Sequence, residues 1–78
     1  MSSLATEEKE LRERLIVLEE QRFFVGEMLA DAQRRRKFEE AEALAGNLGD
    51  LGREIDAVVG MLGEVDREVE RAFLEVGS

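Results

Sequence analysis

Aliphatic residues in the second half of the chain fall at Leu44, Leu48, Leu51, Ile55, Val58, Leu62, Val65 and Val69, with steps of four and three in strict alternation. That is a period of about 3.5 residues, the pattern of a helix that buries one narrow stripe against another helix. A sparser stripe, Leu4, Leu11, Leu18, Val25 and Ala32, recurs every seven residues in the first half. Two such stripes in 78 residues predict an all-α chain. Extending the first stripe by sevens beyond Ala32 lands on Glu39, Gly46, Arg53 and Gly60, which cannot form a core. The stripes are therefore out of phase, and their offset is neither of the common coiled-coil slips of three or four. The register implies a break near the middle, although no glycine or proline marks one.

The expected fold is an antiparallel two-helix hairpin, coiled-coil-like in its packing. Helix 1 should span about 6–35, the turn about 34–37 and helix 2 about 37–75. Thr6 is the expected N-cap, with Glu7, Glu8 and Glu10 in the first turn, where the helix dipole favours anions. Met1 to Thr6 reads as a frayed start and Gly77-Ser78 as a soft end. With the fold-back near residue 35, Leu18 should face Leu51 to Ile55, and Leu11 should face Val58 to Leu62. Helix 2 should overhang at its C-terminal end.

Charge sharpens this picture. Residues 1–37 hold eight basic and eight acidic side chains, whereas residues 38–78 hold three basic and eleven acidic ones and so carry the whole net charge of −8. Arg34, Arg35, Arg36 and Lys37 would crowd the end of helix 1, and Glu39, Glu40 and Glu42 the start of helix 2. Both placements complement the helix dipoles, so the basic run reads as a solvated turn. An acidic helix argues against a nucleic-acid partner and against direct binding to an anionic membrane. No apolar run is long enough to span a bilayer, and no signal peptide is visible. The chain has no Cys, His, Tyr or Trp, no phosphate-binding glycine loop and no EF-hand spacing. We expect no catalysis, no cofactor and no metal, because carboxylates at helix-surface spacing need a pocket that two helices do not supply.

Apolar residues off the seam point to a partner instead. In an antiparallel pair, matching flanks of the two helices merge into shared faces. One face gathers Leu15, Gly26, Leu29, Ala41, Ala45, Leu48, Gly52 and Val59, with Arg22 and Gln33 at its edge. The other gathers Val17, Phe24, Met28, Ala43, Asn47 and Met61; Phe23 points further out, and Phe38 stands beside the turn. A two-helix hairpin cannot bury both faces, and exposed apolar patches of this kind mark interfaces. Gly26, Gly46, Gly49, Gly52, Gly60 and Gly63 lie inside the helices, each at a cost of about 1 kcal/mol relative to alanine. They fit either a smooth strip approached by another chain or drift in an exposed helix.

The stretch from Glu20 to Asp56 resembles the Rab-binding domain of the rabenosyn family. The resemblance rests on Glu20-Gln21, the apolar pair Met28-Leu29, Ala32, Lys37-Phe38, the acidic pair Glu39-Glu40, and the closing Leu44, Asn47, Leu48 and Leu51. Arg36 stands where the family often has glycine, and Arg22 where an apolar residue is common. The resemblance implies a hairpin with a Rab-binding core over about 20–56 that engages a GTP-bound Rab GTPase of the early-endosomal class at its switch surface. It also implies a role in endosomal and vacuolar-sorting tethers, cytoplasmic and held at endosomal membranes by other parts of a longer protein. The partner-binding residues expected are Arg22, Gly26, Leu29, Gln33, Phe38, Ala41, Ala45 and Leu48, with Phe24, Met28 and Asn47 as the alternative face. The competing expectation is a homodimeric coiled-coil segment of a larger assembly, through self-association of the same faces.

Overall fold

A computed structural model describes residues 3–77; the expected fraying of Met1 and Ser2 and the soft end at Ser78 fall outside the described residues. Two helices, α1 (Leu4–Arg34) and α2 (Phe38–Gly77), run antiparallel in a rod measuring 62 × 17 × 16 Å. The architecture is the all-α hairpin that the two out-of-phase stripes require.

Helix α1 starts earlier than expected. Ser3, not Thr6, is its N-cap: the Ser3 hydroxyl accepts from the Thr6 amide at 3.2 Å, and the Ser3 carbonyl accepts from the Glu7 amide at 3.1 Å. The expectation placed the start at Thr6 because of the glutamates that follow it. Leu4 belongs to the apolar stripe and is half-buried, and the helix begins with it, so the cap falls on the preceding serine.

The reversal is a Schellman turn built without glycine. The Lys37 amide donates to the Ala32 carbonyl at 2.9 Å, and the Arg36 amide donates to the Gln33 carbonyl at 3.2 Å. This pair of bonds satisfies carbonyls that the end of α1 would otherwise leave open. The geometry requires a left-handed residue, and Arg36 supplies it with φ 57°. Around the turn, Asp31 pairs with Arg35 at 3.2 Å and lies 3.9 Å from Arg34, and Lys37 lies 3.9 Å from Glu40. The Lys37 carbonyl accepts from the Ala41 amide at 2.9 Å, so α2 begins from a residue whose side chain offers no capping acceptor.

The buried residues are Leu18 and Ala32 on α1 and Ala41, Ile55, Val58, Leu62 and Val65 on α2. Leu18, Ile55, Val58 and Leu62 form the central cluster, with Leu11, Leu15 and Leu51 packed against it. Leu18 thus sits slightly further along α2 than a fold-back at residue 35 predicts, because the turn is centred on Arg36. Val69 departs from the expected seam: it is 38% exposed. Glu68 already shares a groove with Glu7, so by Val69 little of α1 remains to cover it. Beyond it Phe73, Leu74 and Val76 are exposed on the overhang of α2.

Candidate protein-binding site

Because the seam consumes one side of each helix, the flanks on either side of it are broad surfaces to which both helices contribute. On the first flank, Arg22, Gly26 and Leu48 line one open groove together with Glu19, Phe23, Glu27 and Ala30. Leu29 and Leu48 are half-buried, each with one side packed into the hairpin and one side facing out. Gln33 and Ala45 are exposed on the same flank. Ala41 is only 9% exposed, so it forms floor between the helices rather than contact area. Phe38, the first residue of α2, is 72% exposed at the turn end.

The opposite flank is built differently. Phe24 and Met28 line a groove with Ala43 and Leu44, but its rim holds Glu27, Asp31, Arg34, Lys37 and Glu40. Asn47 falls in an adjoining groove with Gln21, Val25, Leu51, Asp50 and Glu54. Phe24 and Met28 are 64% and 50% exposed, and Phe24 meets Phe23 edge-on with ring centroids 6.1 Å apart. This flank offers more apolar area, set among charges.

Both grooves carry charged residues from α1, and charge separates the two only along α2. Along α2 the first flank reads Phe38, Ala41, Ala45, Leu48, Gly49 and Gly52, with no ionisable group among them. Charged residues are depleted from the cores of protein interfaces, where desolvating them costs free energy. The glycines fit this picture in a negative way. A Cβ built at Gly26, Gly46, Gly49, Gly52, Gly60 or Gly63 would meet nothing within 4 Å, so packing inside the hairpin does not require any of them.

The chain matches the model of the rabenosyn Rab-binding domain over residues 17–58, a segment that runs from within α1 through the turn to the buried Val58. The chain belongs to the rabenosyn Rab-binding domain family. It is also similar to the vacuolar segregation protein pep7 of Schizosaccharomyces pombe, with 50% identity over 46 residues. That match covers 59% of this chain but only 9% of the relative, so the chain corresponds to a small part of a much longer protein. No solved structure matches the chain significantly.

Membership makes this rabenosyn-type hairpin a binding module whose partner is a Rab GTPase. Among the described residues no helix is long and apolar enough to cross a membrane. Sequence reasoning missed three residues that border the first flank: Glu19, Glu27 and Ala30 line the groove that reaches Leu48. Helical spacing held the signal for two of them. Glu19 lies seven residues before Gly26, and Ala30 four after it.

Proposed function

We propose that the hairpin recognises the GTP-bound form of a Rab of the early-endosomal class, and that it does so through the flank of Arg22, Gly26, Leu29, Gln33, Phe38, Ala45 and Leu48, with Ala41 as its floor. The observation that carries this choice of face is the charge-free run from Phe38 to Gly52 along one side of α2. Beside it, Leu29 and Leu48 supply apolar contact, and Gly26, Ala45 and Gly52 keep the surface low enough for another chain to approach closely. Arg22 and Gln33 at the margin suit a polar rim. Preference for the GTP form comes from the partner, whose switch loops are ordered only while the γ-phosphate is bound. The relative's role in vacuolar segregation supports a setting in endosomal and vacuolar traffic. Attachment to the membrane then falls to other parts of a longer protein.

The test is capture of a panel of Rab proteins, each loaded with a GTP analogue or with GDP. Leu29→Asp and Leu48→Asp should each remove binding to the GTP-loaded Rab while circular dichroism stays helical. Phe24→Asp and Met28→Asp should leave capture within about threefold of the parent chain, as expected for positions outside the contact. The reverse pattern would move the site to the flank of Phe24, Met28 and Asn47. A tight dimer with no affinity for any Rab would instead support the homodimeric coiled-coil reading, and sedimentation over a range of concentrations distinguishes the two.

A further inference from the structure

The side of α1 turned away from α2 carries a pattern that the hairpin itself does not use. Lys9, Glu13, Ile16, Glu20, Phe23, Glu27 and Ala30 follow one another in steps of four and three, and every one of them is exposed. This is a second 3.5-residue seam on the back of the helix. Apolar Ile16, Phe23 and Ala30 hold one of its repeating positions, and Glu13, Glu20 and Glu27 hold the other. Ile16 is 57% exposed and Phe23 is 64% exposed, large areas for side chains with no packing role in the fold.

Among the described residues no ion pair joins a glutamate of this seam to a cation, and only Glu13 has a basic residue, Lys9, at a helical neighbour position. Glu20 has Ile16, Val17, Phe23 and Phe24 at its helical neighbour positions, and Glu27 has Phe23, Phe24, Ala30 and Asp31. No basic residue is among them. Among the described residues the ion pairs of α1 join Glu8 to Arg12 and Asp31 to Arg34 and Arg35, and none involves Glu13, Glu20 or Glu27. A second copy of the chain fits this seam poorly. Pairing two such helices would set most of the carboxylates against apolar residues or against each other, since Lys9 is the seam's single cation, and a charge buried without a counter-charge is strongly destabilising. A cationic occupant removes that penalty.

We propose that the back seam of α1 docks a basic amphipathic helix of a second protein, which sets apolar residues against Ile16 and Phe23 and lysine or arginine against Glu13, Glu20 and Glu27. The alternation on α1 is one half of a heterodimeric coiled coil, and the partner's charge pattern follows from it. This surface differs from the Rab-binding flank, which spans both helices, although Phe23, Glu27 and Ala30 lie on the border between the two. Glu13 and Ile16 also lie outside the segment matched by the family model. The hairpin would then join a Rab on one side to a basic helix on another.

The experiment titrates the full chain, by calorimetry, with a synthetic three-heptad peptide carrying leucine at one core position and lysine at the other. Glu13→Lys with Glu20→Lys should weaken binding about tenfold or more, and Ile16→Ala about threefold or more. The same reversal on α2, Glu64→Lys with Glu68→Lys, should leave binding within about twofold, the range expected of charges remote from the contact. A peptide with glutamate in place of lysine should bind the Glu13→Lys/Glu20→Lys chain and not the parent. Equal losses from the α1 and α2 reversals would show general attraction to an acidic chain and overturn the proposal. So would absence of binding, or a concentration-dependent dimer in which Ile16 and Phe23 become covered. Ala45→Asp, on the Rab flank but outside the groove that Phe23, Glu27 and Ala30 line, should remove Rab capture and leave peptide binding unchanged, so failure of this docking site and failure of the Rab reading can be told apart.

Discussion

Arg36 concentrates the local strain of the molecule. Its φ of 57° is the left-handed conformation, which costs a residue with a Cβ about 1 kcal/mol or more, whereas glycine adopts it freely. The arginine is held there by the hydrogen bonds that the Arg36 amide donates to the Gln33 carbonyl and the Lys37 amide to the Ala32 carbonyl. Arg36→Gly should therefore raise stability by about 1 kcal/mol, read as an upward shift of the urea midpoint. Its neighbour Lys37 sits at the head of α2 without a capping acceptor, so Lys37→Ser should add several tenths of a kcal/mol in the same assay. The turn's position was legible from the phase change between the two stripes and from the basic run meeting the acidic one. Its geometry was not, because an arginine in a left-handed position looks like any other arginine in a helix-forming sequence. Ser3 was missed for a related reason: a cap is defined by where the helix begins, and the helix begins at Leu4, two residues before Thr6.

The two helices carry a contradiction between propensity and use. Each interior glycine weakens its helix, yet nothing in the hairpin occupies the space where a side chain would be. Gly46→Ala, Gly60→Ala and Gly63→Ala should each stabilise by about 0.5–1 kcal/mol, and combining Gly46→Ala with either of the others should give close to the sum because the sites are several turns apart. Gly26→Ala and Gly52→Ala should stabilise as much but weaken Rab binding, since the added methyl would stand on the proposed contact flank. Thermal melts beside capture assays check both halves. The seam of α2 was read correctly from Leu44 to Val65, because a 3.5-residue period has only one packing solution in an antiparallel pair. Val69 shares the period but not the burial. Periodicity says which side of a helix faces inward, and the length of the partner helix decides how far that burial extends.

At the scale of the whole molecule, the charge is lopsided. Helix α2 holds eleven acidic and three basic side chains in a rod 62 Å long. These carboxylates repel one another across distances that salt screens well. Raising the salt from about 20 mM to about 300 mM should therefore increase the melting temperature by a few degrees, and a fall would mean that the surface ion pairs outweigh the repulsion. Which apolar residues would be left over was also legible: Phe23, Phe24 and Met28 cannot reach the seam from their places on the helical wheel, and all three are exposed. The sequence by itself determined two helices, their inward sides, a reversal near the middle and the concentration of charge on the second arm, because periodicity and charge are properties of the chain read along its length. Only the tertiary structure decided where the reversal is centred, how far each helix is covered and which flank residues share a groove. Those depend on how the arms slide against each other, and that register is set by the packing of Leu18, Ile55, Val58 and Leu62 together.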